Sequence, residues 1–172
     1  DDRLSLIAFD LCRFTPLDFE KPLFELKVRN KSKNEFKVKG CSLVNGNGIV
    51  RCDSYGNAKI IMEILESTIE ESSSIAFKYD ANQNSELRGS IIRTIAYFDR
   101  TAINGVAKQQ SNFSMNLVEN TFSSRARMVK NKMQTTGNFD TIMEYNKFYE
   151  NAVRPTRKPF ISLSCTDTTC SM

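Results

Sequence analysis

The residues best placed to do chemistry are cations. Lys27, Arg29, Lys31, Lys33, Lys37 and Lys39 crowd one short stretch, with Glu35 the lone acid among them. A second basic region comprises Arg125, Arg127, Lys130 and Lys132, then Arg154, Arg157 and Lys158. Arrays of this kind neutralise phosphates and release counterions, so their binding weakens steeply with salt. The segment SRARMVKNKM reads as an amphipathic basic helix suited to an anionic membrane or a nucleic acid. Between the two regions Asp53 to Asp99 is net acidic, with Glu63, Glu66, Glu70, Glu71, Asp80 and Glu86. Such segregation favours oriented binding or head-to-tail contact between identical subunits. The competing reading is a solvated outer face whose lysines protect an edge strand from aggregation.

Other chemistry is scarce. The chain has no histidine, which removes the commonest general base and metal ligand. A Ser or Cys nucleophile would need a Lys or carboxylate base, and no motif marks one. The Glu70-Glu71 pair sits in a serine-flanked stretch that reads as a solvated turn. No catalytic residue, metal site or cofactor is assigned, and a non-enzymatic role is expected. Five cysteines, Cys12, Cys41, Cys52, Cys165 and Cys170, do not make a disulfide scaffold. Cys41 and Cys52 fall opposite each other if Asn45-Gly46-Asn47-Gly48 closes a hairpin, so a cross-strand disulfide competes there with two reduced core thiols. Cys165 and Cys170 can pair with each other or between chains. No Cys-x-x-Cys spacing supports zinc.

The elements that must position these residues read mostly as strands. Leu4 to Phe14 is an apolar run interrupted by Asp10. Leu23 to Arg29 alternates, with Phe24, Leu26 and Val28 on one face and Glu25, Lys27 and Arg29 on the other. Phe36 and Val38 resume that apolar face beyond a polar turn, so a hairpin would project Lys27, Arg29, Lys37 and Lys39 together. Gly40 suits a bulge. Lys59 to Glu66 fits a strand through Ile60, Met62 and Ile64 or a helix running on to Glu71, with the strand preferred; Ser74 to Tyr79 follows as a strand, and Leu87 to Asp99 is the best central strand. Ser111 to Val118 returns the chain. After Asn120 the pattern turns helical. One short helix is expected from Ser123 or Ser124 to Gln134, and a stronger one from Asn138 to Val153, with Pro155 and Pro159 beyond it. No internal repeat is evident.

The 172 residues suffice for one domain with a real core, and 40% hydrophobic residues with 10% aromatics are those of a folded chain. The net charge of +4 is mild. The first residues, Asp1-Asp2-Arg3, include neither Met nor an apolar leader, as expected of a processed or excised chain. The expected fold is mainly β (α+β): an antiparallel β-sandwich or jelly-roll-like core of about seven or eight strands, with one or two C-terminal helices. Residues 1–120 would form the core and 121–172 a helical, basic extension packed on it. The expected function is a structural or assembly protein of viral structural or movement type. It would engage nucleic acid, RNA above all, or an anionic membrane through its basic surfaces and self-associate as a homo-oligomer. An intracellular site, cytoplasmic or virion-associated, fits that role. The alternative is a protein-recognition or adhesion module with a protein partner and no nucleic-acid role. A small enzyme without histidine is a remote third.

Overall fold

The computed structural model describes residues 4–15, 18, 20–44, 47–72, 77–98, 103–124, 129–134, 138–150 and 161–165. They form eighteen strands, three to a turn, wound into a parallel β-solenoid of six turns. The first sheet stacks β1 (Leu4–Asp10), β4 (Lys33–Lys39), β7 (Lys59–Leu65), β10 (Glu86–Ile92), β13 (Asn112–Val118) and β16 (Asn138–Glu144). The second stacks β2 (Arg13–Phe14), β5 (Ser42–Val44), β8 (Thr68–Ser72), β11 (Ile95–Phe98), β14 (Thr121–Ser124) and β17 (Lys147–Glu150). The third stacks β3 (Phe24–Arg29), β6 (Val50–Tyr55), β9 (Phe77–Ala81), β12 (Ile103–Lys108), β15 (Val129–Gln134) and β18 (Ile161–Cys165).

This overturns the expected antiparallel sandwich. Each strand pairs in parallel with the strand three places on, never with its neighbour in sequence. The alternation that suggested antiparallel hairpins has another origin here. Parallel sheets are usually covered by helices on both faces and then read as continuous apolar runs. A solenoid carries no covering helices, so its outer faces are wet and its strands alternate. β7, β10 and β13 each bury every second residue. The expected C-terminal helices are also absent from the described residues. β15, β16 and β17 occupy those stretches and join the same three sheets, so the sheets run unbroken past Asn120. Phe139, Ile142 and Met143 had satisfied a helical period, but tertiary stacking overrides it.

A repeat, undetected as identity, exists as register. Leu4, Lys33, Lys59, Glu86, Asn112 and Asn138 share one position, so the first turn takes 29 residues and those that follow along this row 26 or 27. Two corners set that length. Between the first and second sheets a single residue is left-handed: Leu11, Gly40, Glu66, Arg93, Glu119 and Tyr145 in successive turns, with φ of 49° to 60°. Each donates its amide to the next turn where one follows, as from Glu66 to Ile92 O at 2.9 Å. Gly40 is this corner, not a bulge. Between the third sheet and the next first-sheet strand two left-handed residues follow each other: Asn30-Lys31, Gly56-Asn57, Gln83-Asn84 and Gln109-Gln110. The link between second and third sheets is the variable one, and it takes up the Asn47-Gly48 part of the expected hairpin. Residues 45–46 lie outside the described set.

The core is a column of stacked layers. Phe9, Phe14 and Phe24, one from each sheet, meet in the first turn with centroids 4.9 to 5.8 Å apart. Deeper, Tyr79 is buried, stacks on Phe77 and donates to Met62 Sδ at 3.3 Å. Gly89 lies between Met62 and Met115 in register. A β-carbon there would sit 2.6 Å from Met115 Cε, so the thioether occupies the space that a side chain would fill.

Candidate functional site

The solenoid sorts the first basic segment onto different faces. Lys27 and Arg29 project from the third sheet; Lys33, Lys37 and Lys39 project from the first; Lys31 stands at the corner between them, exposed. The single basic face expected from a hairpin therefore does not form. These cations are also largely matched. Lys33 lies 3.0 Å from Glu35, Lys37 3.1 Å from Glu63, Lys27 3.0 Å from Glu25 and Lys39 4.0 Å from Glu66. The hydrogen bond from Lys33 holds Glu35 below the usual carboxylate range, and Glu63 raises Lys37. Arg29 lies over the Tyr55 ring, 5.8 Å from its centroid. Lys59 and Arg88 both bind Glu86.

Of the second basic region, Lys130 and Lys132 lie on β15, in register with Asn104 and Val106. They thus share the third sheet with Lys27 and Arg29, four strands away. Arg125, Arg127, Arg154, Arg157 and Lys158 lie outside the described residues. So does Cys170, and the side chain of Cys165 is likewise outside. Cys41 and Cys52 are free thiols in different parts of the coil, Cys41 at the first corner and Cys52 facing inward from β6. Burial raises the Cys52 thiol far above its ordinary range. Among the described residues no group of three metal-ligating side chains converges.

The third sheet also brings two carboxylates together that the sequence separates. Asp53 and Asp80 are in register on β6 and β9. Arg51 lies 3.4 Å from Asp53, and Lys78 3.4 Å from Asp80. Asp53 is only 5% exposed, and burial raises its pKa despite Arg51. Asp53 is thus enclosed and Asp80 half-buried, each with its own cation.

The second sheet differs from the other two. Its outer face carries an open groove of about 590 Å³, lined by Thr68, Ile69, Glu70, Ile95, Ala96, Tyr97, Thr121 and Ser123. Ile95 is 61% exposed. Thr68, Ile95 and Thr121 form one row across β8, β11 and β14. Tyr97, Ser123 and Tyr149 form the next row on β11, β14 and β17. Neighbouring strands lie about 4.8 Å apart, so Tyr97 and Tyr149 stand about 10 Å apart along the axis. Among the described residues that line the groove, Glu70 is the one charged side chain. It accepts from Ser42 Oγ at 3.2 Å and lies 4.0 Å from Arg13. The sequence hid this site inside the Leu87 to Asp99 run, read as one central strand. In fact the run breaks at Arg93 into β10 and β11, and Ile95 and Tyr97 face outward.

No protein-family model matches the chain, and no curated protein or solved structure matches it significantly.

Proposed function

We propose that this chain is a non-enzymatic binding module whose second sheet holds an uncharged glycan chain along the solenoid axis. The observation that carries this reading is the groove around Ile95 and Tyr97. Binding sites are concave and mostly apolar, with a few placed polar groups. This groove has that composition. Sugar rings offer C–H faces to Ile95, Tyr97 and Tyr149, and their hydroxyls exchange hydrogen bonds with Thr68, Thr121, Ser123 and Glu70. Parallel strands in register present these groups at a constant step, which suits a polymer with a regular repeat. The ion-paired outer faces of the first and third sheets favour no such ligand.

Affinity gel electrophoresis tests the reading directly. The protein is run through gels containing hydroxyethylcellulose, glucomannan or glycogen. At least one should retard it, and Tyr97→Ala and Ile95→Ala should each abolish the retardation while leaving the far-UV spectrum unchanged. Free migration in all three gels, or undiminished retardation of both variants, would sink it.

A further inference from the structure

We propose that Cys12 and Cys41 form an oxidisable pair that closes into a disulfide joining the first turn of the solenoid to the second. The two occupy the same place in successive turns, immediately before the in-register pair Arg13 and Ser42. The backbone clamps them on both sides: Leu11 N donates to Lys39 O at 3.0 Å and Ser42 N to Cys12 O at 2.9 Å. Stacked residues of a parallel sheet have α-carbons about 4.8 Å apart, within the range that a disulfide spans.

The side chains already meet. Cys12 N donates to Cys41 Sγ at 3.2 Å, and Cys41 Sγ reaches to 3.8 Å from Phe9 O in the neighbouring turn. Cys12 Sγ donates to Asp10 O and Cys41 Sγ to Lys39 O, each at 3.2 Å. Both thiols therefore use the carbonyl two residues back and point the same way. A rotation of Cys12 about its first side-chain torsion brings its sulfur towards Cys41. Access is graded in the order a two-step exchange needs. Cys12 is half-buried, Cys41 is buried and Cys52 is sealed in the core.

The oxidant is a small organic disulfide. The Cys12 thiolate attacks one of its sulfurs, forming a mixed disulfide and releasing one small thiolate. The Cys41 thiolate then attacks the Cys12 sulfur, and the second small thiolate leaves. Two protein thiols become one disulfide, and the small disulfide becomes two thiols that take up the two protons.

The test incubates the full chain with oxidised glutathione at pH 8, blocks remaining thiols with N-ethylmaleimide and maps the peptides by mass spectrometry. The expected product is a Cys12–Cys41 cross-linked peptide pair, with Cys52 blocked only after denaturation. Cys41→Ser keeps an acceptor for Cys12 N, as Ser67 does for Cys41 N, so it folds; it should stop at glutathione on Cys12. A wild-type chain that keeps glutathione on Cys12, leaves both thiols free, or links either to another cysteine overturns the proposal.

Discussion

Two regions of this molecule use the same chemistry in opposite surroundings. One is the polar column behind the first corner: Cys12, Cys41, Ser67, Thr94, Asn120 and Asn146. The other is the lattice of ion pairs on the outer faces of the first and third sheets. In the column the left-handed corner residue turns the next amide out of the sheet and along the solenoid axis. A buried amide needs an acceptor, and the side chain one turn on supplies it. Cys41 Sγ accepts from Cys12 N, Ser67 Oγ from Cys41 N, Asn120 Oδ1 from Thr94 N and Asn146 Oδ1 from Asn120 N. The asparagines do more, since Asn120 Nδ2 donates to Ile91 O at 2.7 Å and Asn146 Nδ2 to Leu117 O at 2.7 Å. The lattice outside satisfies groups that water would satisfy anyway. Stability and register should therefore reside in the column and solubility in the lattice.

Asn120→Ala gives that contrast its largest test. It strands Thr94 N and takes from Ile91 O the bond Asn120 Nδ2 gives it, in a site only 1% exposed. An unsatisfied buried group costs about 1–3 kcal/mol, so the loss should be about 2–4 kcal/mol by urea denaturation. Asn120→Ser restores an acceptor but no donor and should recover about half. A loss no larger than that of a surface substitution would erase the distinction between column and lattice.

Asp53 sits between the two regimes, on an outer face yet buried. Burial raises its pKa, with Asp80 adding to the rise and Arg51 opposing it. The folded protein therefore holds this proton more tightly than the unfolded chain. Stability then falls as pH rises from the ordinary aspartate value through the raised one, and stays lower above it. Asp53→Asn should stabilise the protein by about 1 kcal/mol at pH 7, because Arg51, 44% exposed, only partly offsets the cost of burying the carboxylate and is left in water when it goes. The gain should vanish below the ordinary aspartate range, where wild type is protonated in both states. Melting curves from pH 3 to 8 read this out, and a gain independent of pH would show that charge is not the cause.

The corner residues explain why so much of this was hidden in the sequence. Strand positions were legible: Lys59 to Glu66 contains β7, Ser111 to Val118 contains β13 and Leu23 to Arg29 contains β3. Alternation reports one dry face, but not which strand lies beside it. Turn chemistry normally supplies that information, and here it was misleading. Five of the six first-corner positions hold Leu, Glu, Arg or Tyr, where a left-handed residue is usually Gly or Asn. The column changes from Cys to Ser to Thr to Asn, because an amide asks only for an acceptor. The 26- or 27-residue period thus left little identity to detect, and the groove on the second sheet depends wholly on that period. The same strain yields a prediction. Leu11, at φ 52° and 82% exposed, packs little, so Leu11→Gly should stabilise by about 0.5–1 kcal/mol through relief of the left-handed penalty. A destabilisation in urea would mean that Leu11 covers Gly40, the residue its side chain approaches.

The smallest expected effect belongs to the lattice itself. Lys37 and Glu63 are in register on β4 and β7, 3.1 Å apart, with side chains 41% and 31% exposed. Lys37 also lies 3.8 Å from Glu35, so removal of either partner leaves the other a neighbour or water. Glu63 raises the Lys37 pKa, and a raised lysine adds stability that is lost only as pH climbs through that raised value, far above neutrality. A double-mutant cycle of Lys37→Met and Glu63→Gln should give no coupling resolvable in urea at physiological salt, and only a slight one at low salt. Strong, salt-insensitive coupling would make the outer lattice a second source of register. The column would then no longer explain alone why six turns with so little sequence in common stack without slipping.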